Sequence, residues 1–345
     1  MSVTIIDIAK DSNTSKSTVS RYLNGSKVKP VAAKAIEASI KKLDYHQNVN
    51  AKRLVTQKSH TIGVILDDIS NVYFSEILSG IQSVAGSQGY VSTFYSRASD
   101  QKRETDFLSL FREGHIDGLI LGTFQKRTPQ ELEIIAKSEF PIVLIGDNCG
   151  SNRINSVDVD NKQGTMDEVE YLYNHGHRKI AYLRGPLKIS GAEFRAQGFI
   201  EGMHRYGLDS SLILDIEWTV EGGHAAALQI LQDTGVTAII CSNDYCAYGA
   251  LNACRQSGLR VPQDISIVAF DDGPLAKFSI PALTTVKQPF KQLGETAAKQ
   301  LIGMIQEESP VKASILLQSQ FIVRASSGAA QVQPQSESKG ETYGS

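Results

Sequence analysis

The sequence predicts an α/β protein with a small all-helical module at its N-terminus, and three observations carry that prediction. From Thr61 onward, short apolar strands alternate with amphipathic helices, and the alternation runs twice. Before Thr61, apolar residues recur only at helical spacing, in three short runs. Charge divides at the same place. Residues 1–60 hold 11 Lys and Arg against 4 Asp and Glu, a net of +7, and the rest of the chain carries −9 within a total of −2. A small basic module joined to an acidic one is the footprint of polyanion binding.

Caps set the N-terminal helices. Thr4 can cap the first, with Asp7 three residues on returning a bond to the cap. Ile5, Ile8 and Ala9 then share one face. Asn13 suits a left-handed position in a tight turn. Ser15 can cap a second helix, with Val19 and Leu23 inward and Lys16, Ser17, Ser20 and Arg21 outward. Asn24-Gly25 ends it. Pro30 suits the first turn of a third helix, whose stripe is Ala32, Ile36, Ile40 and Leu43. Two short helices joined by a tight turn make a helix-turn-helix, whose second helix can enter a DNA major groove. Arg21 is suited there to guanine O6 and N7. A three-helix module that binds protein would share this geometry, and the basic charge argues against it.

Four segments carry a resemblance. Thr4-x-x-Asp7-Ile8-Ala9, Ser15-x-x-Thr18-Val19-Ser20-Arg21-x-Leu23-Asn24-Gly25, Leu43-Asp44-Tyr45 and Ala51-Lys52-Arg53-Leu54 resemble, without gaps, the lactose-repressor (LacI/GalR) family of bacterial transcriptional regulators. That family usually has Ala-Gly-Val-Ser across the turn, where this chain has Ser12-Asn13-Thr14-Ser15. Thr14 in place of Val is expected to cost apolar burial. The resemblance implies that Thr4, Ser15, Lys16, Ser17, Thr18, Ser20, Arg21 and Asn24 contact DNA. It also implies a hinge helix carrying Asn50, Ala51, Arg53 and Leu54. So short a segment is not helical alone in water. In the family it folds when two copies meet over the minor groove, with Leu54 as the wedge. The implied partner is a pseudo-palindromic double-stranded operator, bound by a homodimer.

In the body, strands are predicted near residues 62–66, 90–95, 118–121, 142–145, 180–183, 237–241 and 265–270. Helices are predicted near 74–87, 103–112, 130–138, 163–174, 193–206, 222–232 and 245–256. Such alternation means doubly wound parallel sheets in two lobes, with ligand held at the strand carboxyl ends. The resemblance implies a fold like the periplasmic sugar-binding proteins, crossing between lobes near residues 159, 289 and 319. The expected organisation is a DNA-binding domain at 1–47, a hinge and linker at 48–59, and a two-lobed effector-binding and dimerisation domain at 60–327. One lobe takes about 60–158 and 290–318, the other about 159–289 and 319–327. Residues 328–345 are polar and expected to be disordered. They lack the leucine heptads of a tetramerising helix, so a dimer is expected.

Strand ends supply the candidate ligand residues. Asp68, Tyr73 and Phe74 follow the first strand, Arg97 the second and Asp147 the fourth. The resemblance adds Arg195, in Arg195-x-x-Gly198-Phe199, with Trp218, Asn243 of Asn243-Asp244, and Asp271 of Asp271-Asp272. Carboxylates and amides that hold hydroxyls, with aromatic faces over a ring, suit a sugar or sugar phosphate. The expected function is therefore a repressor of carbohydrate-utilisation genes whose operator affinity the effector controls. A family regulator with a non-sugar corepressor is the neighbouring alternative. Plainer readings exist for several residues: Asp272 as a turn cap, Tyr73 and Phe74 as core, Asp68 and Arg97 as solvated charges.

No Gly-x-Ser-x-Gly elbow, P-loop or metal-ligand spacing occurs, so no catalytic residue, cofactor or metal is expected. No apolar run approaches the ~20 residues of a membrane span, and no signal segment opens the chain. Cys149, Cys241, Cys246 and Cys254 form no CxxC pair and fit a reducing cytoplasm. The lack of a signal segment and the basic module argue against a stand-alone periplasmic-type sugar-binding protein.

Overall fold

The computed structural model describes residues 3–23, 25–45, 58–67, 72–96, 112–122, 125–233, 235–307 and 313–331. The chain forms two compact units, Met1–Ser59 and His60–Ser345.

Among its described residues the first unit has three helices, α1 (Ile5–Asp11), α2 (Lys16–Leu23) and α3 (Pro30–Lys42). The amide and hydroxyl of Thr4 both donate to Asp7 Oδ2, at 2.9 and 2.7 Å. Ser15 Oγ accepts the Thr18 amide at 3.1 Å and so caps α2. Ile8, Val19 and Ile36 are fully buried, and Ile40, Leu43 and Tyr45 pack around them. Asn13 sits at φ 49°, the left-handed conformation of the turn. The hydroxyls beside it satisfy each other. Ser12 Oγ donates to the Ile8 carbonyl at 2.7 Å and pairs with Thr14 Oγ1 at 2.8 Å. The burial cost expected at Thr14 is thus offset by a bond from its neighbour.

Among its described residues the second unit holds two six-stranded sheets. The N-lobe sheet runs β11 (Ser314–Leu317), β5 (Asn155–Val159), β4 (Ile142–Ile145), β3 (Gly118–Gly122), β1 (Thr61–Leu66), β2 (Val91–Ser96). All its pairs are parallel. The C-lobe sheet runs β12 (Gln320–Ile322), β10 (Thr284–Lys287), β9 (Ser266–Asp271), β8 (Ala238–Cys241), β6 (Ile180–Arg184), β7 (Ile213–Asp215). Only its β10–β12 edge is antiparallel, with Val286 opposite Phe321. Both faces are covered by helices, which is why β1, β3, β4 and β9 are buried along their whole length. The N-lobe uses α4 (Val72–Ser87), α5 (Pro129–Lys137) and α10 (Phe290–Ile305). The C-lobe uses α6 (Asn161–Asn174), α7 (Ser190–Arg205), α8 (Val220–Ile230) and α9 (Asp244–Gln256). Strand order reverses beside β1 in one lobe and beside β6 in the other. Ligands bind at such switch points, beyond the strand carboxyl ends.

The chain passes between lobes after β5, after β10, and between β11 and β12. β5 and β10 have no apolar run because their polar side chains bond neighbouring backbone. Asn155 Oδ1 accepts the Ala313 amide at 3.0 Å, and Thr284 Oγ1 accepts the Arg324 amide at 2.9 Å. One expectation is corrected at the C-terminus: residues 328–331 are held in place. The Gly328 carbonyl accepts His177 Nε2 at 3.0 Å, and the Ala330 amide donates to the His175 carbonyl at 2.9 Å. Residues 332–345 and most of the expected helix at 103–112 lie outside the described residues.

Candidate functional site

In the first unit the outward face of α2 carries Lys16, Ser17 and Arg21, all exposed, with Thr18 and Ser20 half-buried. Arg21 donates from Nη2 to the Lys27 carbonyl at 3.0 Å. Thr4 and Ser15 are exposed but serve as caps at their helix starts. A positively charged N-terminal half-turn and an exposed guanidinium on one helix can meet phosphate and base edges together.

In the second unit a cavity of about 130 Å³ lies between the lobes. Its floor is Arg195. The sequence positions it through Gly198, where any Cβ would stand 2.3 Å from the Lys162 carbonyl oxygen. Only glycine therefore lets α7 approach α6 closely, and Arg195 lies one turn before it. Arg195 is 5% exposed. Its Nε donates to Asn161 Oδ1 at 2.8 Å, Nη1 donates to the Ser242 carbonyl, and Nη2 pairs with Asp271 Oδ1 at 3.2 Å. It lies 3.9 Å over the Phe270 ring. Trp218 forms a wall: its indole Nε1 donates to Ser242 Oγ at 2.8 Å. The ring packs against Gly185, where a Cβ would come within 2.0 Å of that nitrogen.

Asp271 is the acidic centre. It ends β9 at φ 114°, accepts Gln288 Nε2 at 2.6 Å, and is hydrogen-bonded by the Tyr73 hydroxyl from the opposite lobe. Burial raises its carboxyl and Arg195 draws it back down. Behind it, Asp244 accepts the Gly273 amide at 2.6 Å and Thr285 Oγ1 at 3.0 Å. Burial pushes Asp244 well above the usual carboxylate range, and repulsion from Asp271 adds to the rise. Tyr73 packs 5.2 Å from Phe290 and 6.2 Å from Tyr245, which makes an aromatic side to the cavity. At the rim the lobes are joined again. Gln125 bridges Ile189, the Lys126 amide donates to the Lys188 carbonyl at 2.9 Å, and Lys126 Nζ pairs with Glu193 at 2.8 Å.

The structure brings Tyr73, Arg195, Trp218, Asn243 and Asp271 to this one cavity. Asn243 also caps α9, its Oδ1 accepting the Cys246 amide at 2.9 Å. Two expected residues are elsewhere. Phe74 is 2% exposed in the N-lobe core, because helical spacing puts it on one face with Ile77, Leu78 and Ile81. Asp147 lines a neighbouring hinge-side cavity and ties its own turn, accepting the Cys149 amide at 2.7 Å. Asp272 pairs with Arg324 at 2.7 Å, a structural role. Asn24, Asn50, Ala51, Arg53, Leu54, Asp68 and Arg97 lie outside the described residues. Sequence reasoning missed Asp158, Asn161, Ser190, Gln288 and Phe290, which also line the cavity. The signal was available: four of these five flank the points where the chain changes lobes.

A helix-turn-helix unit and a two-lobed unit with an inter-lobe cleft, in one chain, define a ligand-responsive DNA-binding regulator. Residues 4–48 match the model of bacterial regulatory proteins of the lacI family, and residues 169–327 match a periplasmic binding protein-like domain. The HTH-type transcriptional repressor CytR of Escherichia coli K12 is 31% identical over 331 residues, covering 94% of this chain and 96% of CytR. Catabolite control protein A of Priestia megaterium is 32% identical over 315 residues, covering 90% and 94%. A crystal structure of the Lac repressor dimer bound to operator and an anti-inducer superposes with a TM-score of 0.85 at 29% identity, over 95% of this chain and 100% of that one. The chain belongs to the lacI family of bacterial regulatory proteins and is a transcriptional regulator. No helix among the described residues is long and apolar enough to cross a membrane.

Proposed function

We propose that this protein is a cytoplasmic repressor of carbohydrate-utilisation genes, acting by binding and not by catalysis. A homodimer sits on a pseudo-palindromic operator, with Lys16, Ser17 and Arg21 reading the major groove. Thr4, Ser15, Thr18, Ser20 and Asn24 support them, and residues 50–54 act as a hinge helix whose Leu54 enters the minor groove. A sugar between the lobes changes how the two copies present their DNA-binding units. Sugar and operator affinities are then reciprocally linked.

The observation that carries this reading is the cleft itself. Arg195 and Asp271 hold each other in a buried floor, aromatic rings from both lobes stand beside it, and Tyr73 reaches across from one lobe to Asp271. That is an arrangement for fixing hydroxyls and covering a ring, and closing it depends on both lobes. The solved structures of a CelR–cellobiose complex (25% identity, TM-score 0.71) and of an Enterococcus faecium LacI family regulator with bound ribose (25%, 0.68) support sugar as the ligand class. The homodimer is supported by an apolar C-lobe patch: Leu275, Phe278 and Ile280 are 63, 70 and 95% exposed. Such a patch calls for a partner surface, and a second copy supplies a self-complementary one.

Trp218 is the only tryptophan in the chain and stands in the cleft wall. Titrating its fluorescence with mono- and disaccharides tests the reading. A saturable change with one saccharide supports it. No response to any saccharide, alongside a response to a purine or another metabolite, overturns sugar control.

A further inference from the structure

Asp158 is a cleft carboxyl outside the floor network. It lies on β5, beside the residue at which the chain leaves the N-lobe sheet. Its Oδ1 accepts the Val159 amide at 2.8 Å. No other protein donor reaches the carboxyl among the described residues. Asp158 lines two spaces at once, the inter-lobe cleft and the hinge-side cavity of about 250 Å³. Charged groups meet it from several elements: Asp147 from the β4–β5 loop, Asp160 at the cap of α6, and Arg195 from α7, with Lys162 of α6 on the wall of the hinge-side cavity. Among the described residues lining the cleft, two carboxyls, Asp158 and Asp271, stand against one guanidinium, and that guanidinium is already paired with Asp271.

Taking this cleft as the effector site, we infer that Asp158 contacts the effector and selects an uncharged, hydroxyl-bearing sugar over its phosphorylated or acidic counterpart. A sugar hydroxyl donates to the open carboxylate oxygen. A phosphate or carboxylate brought to the same place meets like charge at short range in a poorly solvated space. Burial pushes the Asp158 carboxyl up to about 7, with Asp147 adding to the rise and the Val159 amide and Arg195 opposing it. A hydroxyl donor favours the ionised form, so binding expels the proton. Affinity for the neutral sugar therefore rises with pH up to about 7, by as much as about tenfold per unit, and levels off above.

The test is calorimetric titration of the full-length protein with ribose, glucose and cellobiose, and with ribose 5-phosphate and glucose 6-phosphate. Titrations run below, at and above neutral pH, in two buffers of different ionisation enthalpy. The expected result is binding of an unphosphorylated sugar with release of up to about half a proton at pH 7. Asp158→Asn should bind the same sugar without proton release and with a flat pH profile. The buffer comparison on the unaltered protein stands even if that variant folds poorly. Tighter binding of a phosphorylated sugar than of its parent overturns the inference. So does an unphosphorylated sugar that binds with the same pH profile in both proteins, and that outcome leaves the effector cleft intact. If none of the five compounds binds, the sugar-effector reading itself fails and the inference fails with it.

Discussion

Arg21 and Arg195 are both functional candidates, and their surroundings are opposite. Arg21 stands exposed on α2 and donates to the carbonyl of Lys27. Arg195 is 5% exposed, reaches Asn161, Ser242 and Asp271, and lies over Phe270. The small unit keeps its chemistry outside a core centred on Ile8, Val19 and Ile36, so its reading face can change without disturbing the fold. The two-lobed unit builds its chemistry from ionised groups in its interior. There the groups that would hold the ligand also hold the lobe together. Removing a partner from a buried charge pair leaves the other charge stranded, whereas an exposed guanidinium returns to water.

The contrast can be broken most directly at Arg195. Arg195→Ala should destabilise the two-lobed unit by about 3–5 kcal/mol, a drop in Tm on the order of 10 °C by calorimetry. A loss of sugar response with Tm unchanged would show that Arg195 is not structural. Arg21→Ala should leave stability within about 0.5 kcal/mol. It should weaken binding to a selected operator duplex by about 1–3 kcal/mol, most of it lost at one base position. Uniform weakening across random duplexes, measured by anisotropy, would reassign Arg21 to phosphate contact.

Ser12 and Thr14 sharpen the picture of the small unit. Ser12→Ala should cost about 1 kcal/mol, because it strands the Thr14 hydroxyl. Ser12→Ala with Thr14→Val should recover most of that loss, since an apolar pair replaces a polar one. Chemical denaturation of the Met1–Ser59 unit within the full chain reads both. Equal destabilisation by the single and double variants would mean the hydroxyl pair is incidental. The smallest effect belongs to the rim. Lys126→Ala should move Tm by no more than about 2 °C, since the Lys126–Glu193 pair is about 40% exposed at each end. It should speed sugar dissociation in stopped-flow traces. Unchanged dissociation would show that the Gln125–Ile189 bridge closes the rim unaided.

The helical module was legible because caps and spacing are local: Asp7, Asn13, Ser15 and Pro30 each do what their chemistry suggests within one turn of chain. The sheets were legible where strands are apolar, as in β1, β4 and β8. They were not legible at β5 and β10, whose polar side chains are satisfied by backbone far away in sequence, such as Asn155 with Ala313, nor at β7, β11 and β12, edge strands of three or four residues too short to show a pattern. The site divides the same way. Arg195, Asn243 and Asp271 sit in recognisable motifs. Asp158, Asn161 and Gln288 enter the cleft only because the chain changes lobes beside them, a tertiary fact with no local signature. Phe74 shows the converse. A strand-end position suggests ligand contact, but helical phase decides, and Tyr73 faces the cleft in its place.

The most direct test is a linked titration. A duplex selected from random sequence by the full-length protein is labelled, and its affinity is measured by anisotropy with and without the sugar that perturbs Trp218. The sugar's affinity is then measured with and without the duplex. The account predicts a pseudo-palindromic duplex, an affinity shift with sugar, and the same factor in the reverse experiment. A protein that selects no sequence, or whose operator affinity is identical with and without saturating sugar, would contradict it.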